Sequence, residues 1–129
     1  MANQEGMTTK TGIAGTAIVR GRFVVLASDG QMDHVGTTST ISPDGVAVQA
    51  QATVGQPFSY AKPDHSTVPV MIGAAITRGG LVMSDGAGKA IPFVDAVGNI
   101  ACGRAMSTGA NDGEFIEIAF GHYKTGAGS

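Results

Sequence analysis

The stretch Ile76-Thr77-Arg78-Gly79-Gly80-Leu81-Val82-Met83-Ser84-Asp85-Gly86-Ala87-Gly88-Lys89-Ala90 reads as a turn, a short apolar strand, a second tight turn and the start of another strand. The chain has already used this grammar once. Ile18-Val19-Arg20-Gly21-Arg22-Phe23-Val24-Val25-Leu26-Ala27-Ser28-Asp29-Gly30 stands 58 residues earlier. The offset holds elsewhere without a gap: Gly15 matches Gly73, Ala17 Ala75, Ile18 Ile76, Arg20 Arg78 and Gly21 Gly79. Further on, Val24 matches Val82, Gly30 Gly88, Gly45 Gly103, Ala47 Ala105 and Gly55 Gly113. Half of these identities are glycines, and Gly makes up 20 of 129 residues, so chance supplies some of them. The others keep the same order and local context. The pattern therefore predicts two similar units, about residues 13–60 and 71–118, inside one domain of residues 13–120.

Each unit reads as β structure. Ala47 to Val54 alternates small or apolar with polar residues, and Phe115-Ile116-Glu117-Ile118-Ala119-Phe120 does the same. Val68-Pro69-Val70-Met71-Ile72 is a short apolar run whose proline suits an edge strand or a strand start. Asp29-Gly30, Asp44-Gly45, Asp85-Gly86 and Asp112-Gly113 supply turn chemistry, and Gly21, Gly79, Gly88 and Gly103 are further candidate turn glycines. Turns at this rhythm, with no long amphipathic run, predict an all-β fold: a small β-barrel or sandwich built from the two units. Residues 1–12 are polar and lack an apolar period, so they are expected to form a flexible N-terminal arm. Residues 121–129, ending Gly-Ala-Gly-Ser, are expected to form a flexible C-terminal tail.

Composition narrows the function classes. Charged residues are only 14% of the chain, against roughly 25% in ordinary soluble domains, which points to a surface partly covered by self-assembly or by a large partner. The net charge is −2 and the eight Lys and Arg residues are scattered, so no basic face for direct nucleic-acid binding is expected. A single cysteine, Cys102, rules out an internal disulfide framework. No apolar run approaches the length of a membrane span, and the first residues lack the pattern of a secretion signal. Synthesis and retention in a reducing compartment is the corresponding expectation.

No reactive constellation stands out. Asp85-Gly86-Ala87-Gly88-Lys89-Ala90 lacks both the first glycine and the final Ser or Thr of a phosphate-binding loop, so it reads as a Gly-rich β-turn. Lys89 on that turn also lacks the neighbours of a lipoyl or biotinyl carrier lysine. His34, His65 and His122 lie far apart and carry no metal-ligand spacing. Adjacent His65 and Ser66 have the wrong geometry for a triad, and Cys102 has no activating partner in view. Asp112, Glu114 and Glu117 read as solvated charges or guards of a strand edge. No cofactor, metal or catalytic residue is therefore assigned, and no enzyme activity is expected. Arg20 and Arg78, each before a glycine at matched positions, are candidate inter-subunit or partner contacts; the plainer reading is a charge-capped turn bonding local carbonyls. Thr8, Thr9 and Lys10 of the arm are candidate contacts of the same kind.

The repeated phrase resembles the phage capsid cement, or head decoration, proteins. The carriers are Ile18-Val19-Arg20-Gly21-Arg22-Phe23-Val24 with Gly45-Val46-Ala47, and Ile76-Thr77-Arg78-Gly79-Gly80-Leu81-Val82 with Gly103-Arg104-Ala105. The resemblance covers about residues 13–120. It implies a small β-rich protein on the outer surface of a viral head, a homotrimer at three-fold or local three-fold positions that clamps the major capsid protein and stabilises the shell against internal genome pressure. It carries over no catalytic residues, and it implies synthesis in the host cytoplasm. A virion-displayed carbohydrate- or surface-binding module is the alternative reading, and it requires exposed aromatic platforms.

Overall fold

A computed structural model describes residues 9–35 and 42–126. The described residues form β-strands and no helix. The first five strands, β1 (Thr9–Ile13), β2 (Phe23–Leu26), β3 (Met32–His34), β4 (Gly45–Ala47) and β5 (Pro57–Ala61), make an antiparallel sheet in the order β1-β5-β4-β2-β3. The next five, β6 (Thr67–Met71), β7 (Leu81–Ser84), β8 (Ala90–Pro92), β9 (Ile100–Ala105) and β10 (Phe115–Thr125), make a second in the order β6-β10-β9-β7-β8. The chain is thus an all-β protein of two five-stranded antiparallel sheets, as a small sandwich requires.

The two sheets share one connectivity, and their registers correspond at the offset of 58. Lys10↔Tyr60 in the first sheet stands where Val68↔Ile118 stands in the second. Val24↔Gly45 answers to Val82↔Gly103, and Leu26↔Met32 to Ser84↔Ala90. In each sheet the two outer strands also meet at one isolated parallel bridge, Ala14↔Met32 and Ile72↔Ala90, so both sheets curl until their edges touch.

Strand alternation then sorts the apolar residues onto two faces. In the first sheet Val24, Met32, Ala47 and Phe58 pack inside the curl with Ala14 and Ile18. Phe23, Val35, Val46 and Ala61 turn the other way and join the second sheet's Val68, Val82, Ile118 and Phe120 in one larger cluster. The inter-sheet seam is reinforced by backbone bonds: Met71 N–H donates to Gly21 O at 2.8 Å, and Phe23 N–H donates to Gly88 O at 2.7 Å.

Several sequence expectations change here. Residues 9–12 are not part of a free arm, because Thr9–Ile13 pairs along its length with β5 of the same chain. Ladder bonds hold this polar edge strand, and its threonines suit extended backbone, so it needs no apolar period of its own. Residues 1–8 lie outside the described residues. The tail expectation fails over 121–125, since β10 passes a bulge after Phe120 and pairs again at Lys124↔Ala101 and Thr125↔Ile100. Tyr123 anchors that extension: its hydroxyl donates to Ala119 O at 2.9 Å and its ring meets His65 edge-on at 5.0 Å. Residues 127–129 are outside the description.

The alternation from Ala47 to Val54 predicts a long strand, but β4 ends at Ala47. Gln51 instead forms a lone bridge with Ile18, and the chain turns through Thr53 to Gly55. Pro69 does lie on an edge strand, β6.

Among the candidate turn glycines, Gly21, Gly30, Gly79, Gly88 and Gly113 have positive φ, and Gly86 lies in the turn that Gly88 closes. Gly45 and Gly103 do not turn: they are strand residues of β4 and β9. They are glycine for lack of room, because a Cβ on Gly45 would lie 2.2 Å from Tyr60 Cδ2 and one on Gly103 would lie 2.6 Å from Ile118 Cδ1.

Candidate functional site

The Gly-rich turn that first draws attention is filled from within. The Asp85 carboxylate accepts the backbone N–H groups of Ala87 and Lys89 at 2.8 and 2.9 Å, the donors that a bound anion would need. Lys89 Nζ is paired with the Asp112 carboxylate at 3.0 Å. The turn is an Asp-capped hairpin end, tied by its lysine to the turn at Asp112-Gly113.

The other reactive candidates stay separate. Cys102 is buried, and burial pushes its thiol up to about 12, so it stays protonated. His65 has φ 68°, its Nε2 lies 3.3 Å from His122 O, and the Ser66 N–H beside it bonds the Asp64 carboxylate rather than activating a nucleophile. His34 is the most constrained histidine. Its Nε2 accepts the Val19 N–H at 3.0 Å, which needs an unprotonated ring nitrogen. Burial lowers its pKa first, the nearby Arg22 lowers it further, and Asp33 opposes both. Among the described residues no group of His, Cys, Asp and Glu is arranged to hold a metal ion, and no helix is long and apolar enough to cross a membrane.

The candidate contact residues are spread over the surface. Thr8 lies outside the described residues, while Thr9 and Lys10 are exposed on β1. Arg20 is exposed and stacks over the Phe115 ring at 4.6 Å, bridging the first sheet to the second. Arg78, its counterpart, is exposed, and its backbone N–H donates to Thr108 Oγ1 at 3.1 Å. The guanidinium that bonds a carbonyl in this turn belongs to Arg104, whose Nη1 donates to Gly79 O at 2.8 Å. Among the described residues, no hydrogen bond, ion pair or shared cleft brings Lys10 together with Arg20 or Arg78.

Lys10 instead lines a cleft of about 280 Å³ at one end of the first sheet. Met32 and Tyr60 form its apolar floor, and Leu26, Lys62 and Asp44 stand at its rim. The Asp44 carboxylate is occupied by the Leu26 N–H at 2.7 Å. Tyr60 is held against Phe58, with ring centroids 6.0 Å apart. Sequence reading singled out Lys10, and Tyr60 as an aromatic for the sugar-binding alternative, but missed Leu26 and Lys62. Their signal lies in differences between the two units, whereas comparison by identity finds only what the units share.

What the geometry defines is an all-β protein of two curled sheets with one connectivity, presenting exposed faces and a shallow cleft. The chain belongs to the phage cement protein family, whose model matches residues 2–120. It is similar in fold to the N base of the head fiber of bacteriophage phi29, with a TM-score of 0.68 at 20% identity over 92% of this chain and 98% of that one. No curated protein matches the chain. Family membership gives the chain a phage capsid-associated structural role.

Proposed function

We propose that this protein is a decoration protein that binds the outer surface of an assembled phage head, contacts the major capsid protein and stabilises the shell against internal genome pressure. The observation that carries the reading is the family match across residues 2–120. The physical features agree with it. Two sheets joined through one apolar cluster make a stiff body, and a stiff body loses little conformational freedom when it docks. A ligand that binds only the assembled shell stabilises that shell by mass action, and repetition over many equivalent positions multiplies the effect.

Three finer points belong to the same proposal. The protein acts as a homotrimer at three-fold or local three-fold positions. The correspondence at offset 58 is an internal duplication, supported by the shared strand order and registers. Thr8, Thr9, Lys10, Arg20 and Arg78 contribute capsid or inter-subunit contacts. A sugar-binding role has less support: Phe23, Phe58 and Phe120 are buried in the core, and Phe115 lies beneath Arg20.

The test is to add purified protein to heads that lack it and to follow their loss of genome on heating or chelation. The reading requires saturable binding and a rise in the temperature of genome release. Heads that bind no protein, or that bind it with no gain in resistance, would refute it.

A further inference from the structure

The two sheets share one connectivity but end differently. At the end of the second sheet, Val68, Ser84, Cys102, Ile118 and Phe120 are all buried, and the first sheet's Phe23 packs against Phe120 in the same apolar cluster. The equivalent positions in the first sheet are Lys10, Leu26, Asp44, Tyr60 and Lys62, and they surround the open cleft. Leu26 is 57% exposed where Ser84 is 1% exposed, and no described side chain fills the space above Met32 and Tyr60. Among the described residues, neither Lys10 nor Lys62 has an ion-pair partner, and Asp44, the carboxylate in the lining, accepts the Leu26 N–H at one oxygen. The fold thus builds a socket twice and, among the described residues, caps it once.

We propose that the open socket of the first sheet is the docking cleft for an acidic segment of the shell protein. An apolar side chain of that segment enters over Met32, Tyr60 and Leu26, and a carboxylate beside it lies between Lys10 and Lys62. This rests on the capsid-binding function proposed above and names the chemistry of the contact. Charge complementarity selects the occupant. A second copy docking as the first sheet docks on the second would present the second sheet's equivalent face. That face carries Arg104 where the first sheet has Val46, so it would bring a guanidinium towards the ammonium groups of Lys10 and Lys62. Like charges at a contact disfavour that pairing, whereas a carboxylate is favoured by both lysines.

The test compares the wild type with Lys10→Glu/Lys62→Glu and Lys10→Gln/Lys62→Gln for binding to purified heads that lack the protein. Both lysines are exposed, so thermal unfolding of the free variants is expected to match the wild type. The charge-reversed variant is expected to bind at least about tenfold more weakly, and the neutral variant is expected to lose part of the salt dependence that the wild type shows. Wild type that binds heads alongside a charge-reversed variant that binds equally well would overturn the cleft assignment alone. Wild type that fails to bind heads would overturn the functional reading itself. If charge reversal instead dissociates an oligomer of the free protein, a second copy occupies the cleft and the proposal is overturned.

Discussion

Phe23 of the first sheet and Phe120 of the second pack with ring centroids 5.7 Å apart and planes tilted by 37°, both fully buried. This pair is where the two sheets become one body. Phe120 has no aromatic counterpart, because Lys62 stands at the equivalent place and points the first sheet's end towards solvent.

Truncating Phe120 to Ala removes the plug of the second sheet and leaves a cavity at the seam. The expected loss is about 3–5 kcal/mol of unfolding free energy, read from urea denaturation. Phe23→Ala is expected to fall in the same range, and the double variant to lose less than the sum, because the two changes open one shared cavity.

Gly21 and Gly79 have the same φ of 91° but different surroundings. A Cβ at Gly21 would lie 2.3 Å from Phe115 Cε2, inside the inter-sheet seam, whereas a Cβ at Gly79 meets nothing within 4 Å. Gly79→Ala is expected to cost only the backbone strain, about 1–2 kcal/mol. Gly21→Ala adds a collision to that strain and is expected to be clearly the more destabilising in the same denaturation assay.

His34 couples the seam to pH. Its folded pKa lies below the ordinary histidine value of 6.5, so the unfolded chain binds the proton more tightly. Stability is therefore fully present above about pH 6.5 and falls as the pH drops through the folded pKa, where the bond from Val19 N–H is lost. Denaturation midpoints measured from pH 7.5 down to 5 are expected to decline, and His34→Gln is expected to flatten part of that decline. Arg22→Met removes one of the two influences that lower this pKa, so the His34 ring titration followed by NMR is expected to move upward.

Cys102 gives a probe of the second sheet's interior. With its thiol buried and its pKa pushed up to about 12, it is expected to resist alkylation at pH 8 in the folded protein and to react readily in denaturant. Equal labelling rates in both states would show that the second sheet's end opens freely.

The β class and many of the turns were legible because they rest on local chemistry. Glycines at 21, 30, 79, 88 and 113 take the positive φ that turns demand. Gly45 and Gly103 misled because their reason is non-local: Tyr60 and Ile118 lie across them from neighbouring strands. The ends misled for a related reason. Thr9–Ile13 and the extension of β10 to Thr125 gain their order from partner strands, and an unpaired segment shows no trace of its partner. The cleft was least legible of all. Lys10 and Lys62 are 52 positions apart and become neighbours only because β1 pairs with β5, while their importance shows only against Val68 and Phe120.

The most direct measurement of the proposed function is electron cryomicroscopy of heads prepared with and without this protein. Added density is expected on the outer surface of the shell at three-fold or local three-fold positions, and the two-sheet body fits it with the cleft at Lys10 and Lys62 turned towards the major capsid protein. Identical maps from the two preparations, or density confined to the interior of the shell, would contradict the proposed function.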